Sequence, residues 1–220
     1  MKILISDKMS NKVEDVLKSK SIDYDIKTGL EPNELKSIID GYDGILIRSA
    51  TKLTSDVLEN CSNLKVIGRA GVGVDNVDLD VATKNKILVM NTPLGNLEAT
   101  AELTVGLMFS LYRHIHNANA STHEGKWEKA KFMGTELKGK TLGIVGFGNI
   151  GQRVAEICKA IGMQILTNSN SASDEVLNSF GAKKVSTEEL ISSSDVLSLH
   201  TKLNDQTKNM LNKESIATMK

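Results

Sequence analysis

Residues 141–151 read TLGIVGFGNIG, and this stretch decides the fold of the second half of the chain. A short apolar run of β type leads into a Gly-x-Gly-x-x-Gly pattern made by Gly146, Gly148 and Gly151. The first glycine permits a tight turn out of a strand, the second lets the backbone approach a pyrophosphate, and the third lets helix and strand pack closely. The stretch therefore predicts a strand, a phosphate-binding turn and the start of a helix.

The residues that follow supply the rest of a βαβ unit. Apolar positions between Val154 and Ile161 have helical spacing, and residues 163–167 have the composition of a second strand. The first turn of the predicted helix, from Asn149 to Gln152, offers free N–H groups and the positive end of the helix dipole to phosphates. This context favours a dinucleotide-binding site over an ordinary glycine-containing turn.

The whole chain alternates short strands with helical patterns, which is typical of an α/β fold. In the first part we predict strands at 3–6, 23–27, 44–47, 65–68 and 87–90, with helices near 9–19, 31–38, 54–60 and 78–84. Beyond them we predict one long helix over 97–120, a polar connection over 121–140, and strands near 141–145, 163–167, 184–186 and 195–199. The pattern indicates two domains, residues 1–96 and 97–220, each doubly wound around a parallel sheet.

Composition excludes several classes of partner. The 220 residues contain 27 Lys+Arg and 27 Asp+Glu, so no net field would attract nucleic acid or an acidic membrane. The longest apolar run, Leu103 to Tyr112, is too short to span a bilayer, and the N-terminal residues lack the features of a signal peptide. Two cysteines, Cys61 and Cys158, are too few for a disulfide framework and indicate a reducing cytoplasm.

Several further segments resemble those of the D-2-hydroxyacid dehydrogenases, over essentially the whole chain. They are residues 47–54 (IRSATKLT), 68–78 (GRAGVGVDNVD), 89–93 (VMNTP), 95–96 (GN), 101–104 (AELT), 125–127 (GKW), 132–137 (FMGTEL) and 139–143 (GKTLG). This combination is much more specific than a glycine triplet. The resemblance implies a flavodoxin-like substrate-binding domain in residues 1–96 and a Rossmann dinucleotide-binding domain in residues 97–220, both incomplete at their C-terminal ends.

The resemblance also implies an activity. It points to an NAD-dependent oxidoreductase that is cytoplasmic, forms a homodimer or homotetramer, and acts on a small anionic 2-hydroxy or 2-keto acid. The segments are most similar to the branch that oxidises 3-phosphoglycerate to 3-phosphohydroxypyruvate in serine biosynthesis. Two alternatives stay open: a reductase of glyoxylate or hydroxypyruvate, and a non-catalytic protein that senses dinucleotides on the same fold.

Individual residues take roles by the same resemblance. Substrate binding falls to Arg48, Ser49 and Asn96, and to the backbone at Val72 and Gly73. An arginine at the end of a strand, such as Arg48, suits a bidentate pair with an anion. Cofactor binding falls to Val72, Gly146, Gly148, Asn149, Ile150, Gly151, Ser169 and Thr201.

Ser169 departs from the family's pattern. Members that use NAD usually carry an acidic residue about twenty residues beyond the glycine turn, which accepts hydrogen bonds from the ribose hydroxyls and repels a 2′-phosphate. A serine can bond the hydroxyls but repels nothing, and no Arg or Lys lies between Asn168 and Ser179 to pair with a 2′-phosphate. We expect NAD as the cofactor, and the choice between NAD and NADP stays open.

No catalytic residue is assigned within the chain. The resemblance places the catalytic Arg, Glu and His of the family beyond Lys220, which predicts that these 220 residues alone do not turn over substrate. His200 ends a predicted strand where ligands bind, and we expect it to neighbour the cofactor. His114 and His116 lie two apart on the predicted long helix and do not share a face, so no metal site is expected; His123 is expected to be solvated in the polar connection.

Overall fold

A computed structural model describes all residues from Met1 to Lys220. The chain divides into two compact units, Met1–Asn96 and Leu97–Lys220. Each unit is built on a parallel sheet with helices beside it, which confirms the predicted α/β class. No helix is both long enough and apolar enough to cross a membrane.

Unit 1 contains a five-stranded parallel sheet with strand order β2-β1-β3-β4-β5, the flavodoxin-like order. Its elements in chain order are β1 (Lys2–Ile5), α1 (Lys12–Ser19), β2 (Asp23–Ile26), α2 (Pro32–Ile38), β3 (Gly44–Ile47), α3 (Ser55–Leu58), β4 (Val66–Arg69), α4 (Leu79–Lys84) and β5 (Leu88–Asn91). The central strands are almost continuously aliphatic because both faces of a parallel sheet are covered.

The core of unit 1 forms on the two faces of this sheet. Leu4, Ile45 and Ile67 are fully buried on one face, whereas Ile3 and Ile5 pack with residues of α1 on the other. Burying each such side chain contributes about 1.5–3 kcal/mol. Successive residues of β1 therefore serve opposite faces, as strand geometry requires.

Unit 2 contains a four-stranded parallel sheet with strand order β8-β7-β6-β9. Its elements are α5 (Leu97–Tyr112), α6 (Ile115–His123), β6 (Thr141–Val145), α7 (Asn149–Ile161), β7 (Gln164–Thr167), α8 (Asp174–Phe180), β8 (Ala182–Lys184), α9 (Thr187–Ser193), β9 (Val196–Leu199) and α10 (Lys213–Ala217). A short 3-10 helix, Lys129–Phe132, lies in the connection before β6.

Helices α5 and α7 pack together over the sheet of unit 2. The buried residues of α7 recur at helical spacing, and the buried residues of α5 belong to the same core cluster. Helix α7 ends at Gly162, whose φ of +95° is the left-handed conformation that glycine adopts without strain. These contacts hold the N-terminus of α7 in place at the carboxyl edge of β6.

The single long helix predicted over 97–120 is wrong, because the helix breaks after Tyr112. His114 has a φ of +51°, and a second helix begins at Ile115. The Tyr112 carbonyl, which would accept a hydrogen bond from residue 116 in a continuous helix, accepts one from the Thr135 N–H at 2.9 Å instead. A distant segment of chain therefore ends the helix, and no local signal revealed it.

The break also corrects the positions of three histidines. His114 lies in the linker between α5 and α6, His116 lies on α6, and His123 ends α6 instead of lying in the polar connection. The strand predicted near 184–186 is also displaced: β8 spans Ala182–Lys184, because α8 ends at Gly181 in a left-handed conformation and the strand starts directly afterwards.

Candidate dinucleotide and anion sites

The turn after β6 requires glycine at its first position. Gly146 has a φ of +84°, and a Cβ atom there would lie 2.5 Å from the carbonyl oxygen of His200. Strand β9 pairs with β6 and ends beside this turn, since the His200 N–H donates to the Val145 carbonyl at 2.8 Å. Both the backbone conformation and the neighbouring strand therefore exclude a side chain at Gly146.

The other two glycines of the motif have different surroundings. A Cβ atom at Gly148 would meet nothing within 4 Å, so the backbone is open there and fits the approach of a pyrophosphate. A Cβ atom at Gly151 would lie 2.5 Å from the Gly146 carbonyl oxygen, so its absence lets α7 pack closely on the turn. Gly146 and Gly151 therefore exclude a side chain by steric contact, whereas Gly148 leaves the backbone open.

Helix α7 begins at Asn149, directly after the open glycine. The side chain of Ile150 packs against the core of unit 2, which leaves its backbone at the helix N-terminus. Gln152 holds the turn from within: its backbone N–H donates to the Gly148 carbonyl and its side-chain amide to the Phe147 carbonyl, both at 2.9 Å. The result is a fixed helix N-terminus of the kind that binds phosphates.

The carboxyl end of β9 brings two more residues to the turn. Thr201 is exposed, and its Cβ would lie 3.0 Å from a Cβ at Gly146. The Nε2 atom of His200 is hydrogen-bonded to Ser198 Oγ at 2.9 Å. Burial lowers the pKa of His200, which favours its neutral imidazole. The geometry places Thr201 beside the glycine turn, and His200 forms part of the support beneath it.

Ser169 lies just after the end of β7, and β7 is a neighbour of β6 in the sheet. It is only 6% exposed. Its hydroxyl lies 3.3 Å from Ser171 Oγ and accepts the Ala172 N–H at 3.3 Å, so it is used inside its own loop. The chain position is the one predicted for a ribose contact, but the side chain is turned into the loop.

In unit 1, Arg48 and Ser49 directly follow β3 and are exposed. The buried carboxylate of Asp7, which follows β1, accepts the backbone N–H groups of Arg48 and Thr51. Strands β1 and β3 are neighbours in the order β2-β1-β3, and ligands of open α/β sheets bind where the strand order reverses in this way. The Arg48 backbone is therefore fixed at a position suited to ligand binding.

Arg69 was missed in the sequence and joins Arg48 in the structure. It ends β4, and its Nε donates to Asn76 Oδ1 at 3.2 Å. The Asn76 amide in turn donates to the carbonyls of Arg48 and Thr51, both at 2.7 Å. A Cβ atom at Gly71 would collide with the Arg69 guanidinium. The strand-end argument used for Arg48 applies equally to Arg69 and could have found it.

The loop after β4 carries Val72 and Gly73 and is held by the end of β5. The Asn91 side-chain amide donates to the Val72 carbonyl at 2.7 Å, and the Thr92 N–H donates to the Gly71 carbonyl at 3.0 Å. Asn76 therefore links the ends of β3 and β4. Asn91 links the end of β5 to the loop that follows β4.

Two other predicted residues lie at the margin of this arrangement. Ser49 lines an open depression of about 580 Å³ that Asn76 also borders. Asn96 is exposed and is the last residue of unit 1.

No group of three His, Cys, Asp or Glu side chains is arranged to hold a metal ion anywhere in the chain.

The parallel sheet of unit 2, with a glycine cradle and a helix N-terminus at its carboxyl edge, defines a dinucleotide-binding α/β protein. Residues 105–220 match the family described as D-isomer specific 2-hydroxyacid dehydrogenase, NAD binding domain. The chain belongs to this family, which confirms the resemblance seen in the sequence, and the match supports NAD as cofactor.

Relatives with curated names cover the whole chain. A D-3-phosphoglycerate dehydrogenase of Synechocystis is 44% identical over 219 residues, which are 100% of this chain and 39% of the relative. One from Archaeoglobus fulgidus is 40% identical over 220 residues, which are 100% of this chain and 42% of the relative. The chain thus spans about two-fifths of the length of these relatives. Among solved structures, the TT0316 protein of Thermus thermophilus superposes with a TM-score of 0.89 at 32% identity, covering 100% of this chain and 71% of that one.

Proposed function

We propose that this chain belongs to a D-3-phosphoglycerate dehydrogenase, which oxidises the C2 hydroxyl of 3-phosphoglycerate to the ketone of 3-phosphohydroxypyruvate. One observation of the structure carries the proposal: Arg48 and Arg69 end neighbouring strands and are joined through Asn76. The substrate carries a carboxylate and a phosphate, and guanidinium groups bind both anions in a bidentate manner. The curated names of the relatives at 40–44% identity support the same assignment.

In unit 1, we assign the anionic groups of the substrate to Arg48 and Arg69. Ser49, Asn96 and the Val72-Gly73 backbone are proposed as the neighbouring polar contacts, in line with the family resemblance. Because Asn76 and Asp7 fix the backbone at Arg48, the point from which its side chain extends is set before the substrate arrives. Binding therefore loses less conformational freedom than it would with a mobile loop.

In unit 2, we assign the pyrophosphate of NAD to the turn formed by Gly146, Gly148 and Gly151 and to the N–H groups of Asn149 and Ile150. The ribose side of the site lies at Ser169 and the nicotinamide side at Thr201. When bound, NAD accepts the hydride that leaves C2 of the substrate. The open backbone at Gly148 supports this placement, since a ligand can reach it without moving a side chain.

The test is oxidation of NADH with 3-phosphohydroxypyruvate, hydroxypyruvate and glyoxylate as alternative substrates. It is run on this chain and on the same chain extended by whatever its reading frame encodes after Lys220. We expect turnover in the extended protein, with 3-phosphohydroxypyruvate preferred, and loss of that preference in Arg69→Ala. Preference for either unphosphorylated acid would replace the proposal with a different reductase, and NADH binding without any turnover would favour a dinucleotide sensor.

We further propose that a second copy of this chain covers the outer face of α5. Leu103, Leu107 and Leu111 recur at four-residue spacing and are 65%, 56% and 73% exposed. Glu102 near the start of α5 and Arg113, which directly follows its last residue, are both exposed and lie at comparable distances in sequence on either side of Leu107. An antiparallel pairing of two copies of α5 would bring each Glu102 towards Arg113 of the partner subunit, which gives charge complementarity on both sides of the apolar contact.

Light scattering coupled to size exclusion tests the pairing. We expect a dimer for the unmodified chain and a monomer for Leu107→Glu, because a charge placed in the centre of the contact must be desolvated. Leu203→Glu is the matched control, since Leu203 is 82% exposed and lies away from α5. A monomeric unmodified chain would overturn the pairing.

A reducing compartment such as the cytoplasm suits the two free, buried cysteines.

A further inference from the structure

We propose that the dinucleotide site does not exclude a 2′-phosphate, so that it binds NADP(H) about as well as NAD(H). The inference rests on the proposed dinucleotide site of unit 2 and is independent of the substrate assigned to unit 1. Three observations carry it: the hydroxyl of Ser169 is occupied within its loop, the loop is uncharged, and a lysine with no ion-pair partner stands on the neighbouring strand.

Ser169 does not present an acceptor in the way an acidic residue would. Its side chain is buried, and its hydroxyl contacts Ser171 Oγ and the Ala172 N–H. The backbone N–H of Ser169 in turn donates to Thr167 Oγ1 at 3.2 Å, which fixes the residue at the strand end. The hydroxyl and the backbone N–H of Ser169 are therefore both engaged by neighbouring residues, and the residue carries no negative charge towards the ribose position.

The rest of the loop is also neutral. Residues 168–173 are Asn, Ser, Asn, Ser, Ala and Ser, and Asn170 and Ser171 are the members exposed next to Ser169. The Asn168 side chain is directed away from the loop, since its amide donates to Thr187 Oγ1 at 3.0 Å. The nearest carboxylates along the chain, Asp174 and Glu175, begin α8 beyond the loop. Residues 168–173 themselves thus offer a 2′-substituent only hydroxyl, amide and backbone groups, which accept a phosphate without repulsion.

Lys184 adds a cation at the same end of the sheet. It is the Cα partner of Thr167 on the strand next to β7, and it is exposed. Lys183 points to the opposite face, where its Nζ reaches Glu189 Oε1 at 3.5 Å. Because side chains alternate along a strand, Lys184 shares the face of Ala182, which packs in the core beneath α8. Lys184 makes no ion pair with any carboxylate of the chain and can compensate the charge of a 2′-phosphate.

Equilibrium titration of the chain with NADH and with NADPH, in the absence of substrate, measures the discrimination directly. We expect the two Kd values to agree within about tenfold, because no fixed charge opposes the 2′-phosphate. Ser169→Asp should weaken NADPH binding by at least about tenfold more than it changes NADH binding, through like-charge repulsion with the 2′-phosphate. Lys184→Gln should weaken NADPH alone, and more at low salt than at high salt.

Ser179→Asp is the matched control, because it introduces the same charge on the exposed surface of α8. It should leave the ratio of the two affinities unchanged. An unmodified chain that binds NADH more than about a hundredfold tighter than NADPH would overturn the inference, as would a Ser169→Asp variant with an unaltered ratio. Binding of neither cofactor would overturn it together with the dinucleotide site. Binding of both without turnover of 3-phosphohydroxypyruvate would reject only the proposed substrate.

Discussion

The Arg69 guanidinium is hydrogen-bonded to Asn76, with 3.2 Å between Arg69 Nε and Asn76 Oδ1. Because the Asn76 amide also donates to the carbonyls of Arg48 and Thr51, one neutral side chain couples the ends of strands β3 and β4. Asn76 contacts Arg69 at its guanidinium and Arg48 at its backbone carbonyl, whereas the Arg48 guanidinium donates to the Lys8 carbonyl at 3.4 Å; neither arginine forms a salt bridge. Their charges therefore remain available to an anion.

Replacing Asn76 by alanine should both destabilise unit 1 and weaken substrate binding. The change removes three hydrogen bonds, which costs about 1–3 kcal/mol of the free energy of unfolding. Urea denaturation and KM for 3-phosphohydroxypyruvate in the extended protein measure the two effects. Asn85→Ala is the control, because the Asn85 amide donates to the Leu58 carbonyl at 2.7 Å but lies away from the arginines. An equal rise of KM in both variants would show that the effect of Asn76 is only structural.

Gly71→Ala should displace the Arg69 guanidinium, against which the new methyl group would collide. We expect a higher KM for the phosphorylated substrate with a smaller change in the free energy of unfolding, since a flexible side chain can move away. Gly41→Ala is the matched change, because a Cβ atom at Gly41 would meet nothing within 4 Å. If KM is unaltered in Gly71→Ala, Arg69 does not take part in the proposed substrate site.

The first two glycines of the dinucleotide turn should respond differently to alanine. Gly146→Ala combines a positive φ with a Cβ 2.5 Å from the His200 carbonyl, so it should lower the free energy of unfolding by more than about 2 kcal/mol. Gly148→Ala should leave stability nearly unchanged, because its φ of −78° is ordinary and its Cβ meets nothing. Its methyl group should still block the pyrophosphate. Thermal denaturation measures the effect on stability and NADH titration measures the effect on binding. Normal NADH binding by Gly148→Ala would contradict the assignment of the pyrophosphate to this turn.

Asp195 should make stability depend on pH at acid pH. The Thr141 N–H, donating at 2.9 Å, and the nearby Lys140 ammonium lower the pKa of this carboxyl. Since the pKa is lower in the folded state, the stabilisation is present above the unfolded pKa and is lost as the pH falls through the folded pKa. Asp195→Asn should therefore cost about 1–3 kcal/mol at pH 7 and progressively less towards pH 3. Asp205→Asn, which removes a carboxyl group at an exposed position, is the matched control.

Both cysteines should be inert to thiol reagents in the folded protein. Cys61 and Cys158 are buried, and burial raises the pKa of the Cys158 thiol to about 11, which leaves almost no thiolate at neutral pH. Reaction with a chromogenic disulfide should be absent without denaturant and should reach two thiols per chain after unfolding. Rapid reaction of one thiol under native conditions would show that its segment opens locally.

The sequence by itself determined the parallel α/β class and the dinucleotide turn. Short aliphatic strands alternate with helical patterns, and the glycine motif directly follows one strand and precedes a helix, so these features can be recognised from neighbouring residues in the chain. The role of Arg48 was predicted from the family resemblance, and its position directly after a strand suits that role. Arg69 could have been found by that argument too, whereas its connection to Arg48 through Asn76 could not, since it depends on how a loop folds back.

Tertiary structure alone decided the features that depend on distant segments. The break after Tyr112 follows from a hydrogen bond with Thr135, more than twenty residues away in sequence, and a helical pattern carries no information about such a partner. The pairing of β7 with β8 places Lys184 beside Thr167, at the end of the strand that precedes Ser169. Residues 168–179 contain no Lys or Arg, so the sequence around Ser169 does not reveal this cation. Side-chain type is a local property of the chain, but the groups available to a ligand are set by which strands become neighbours.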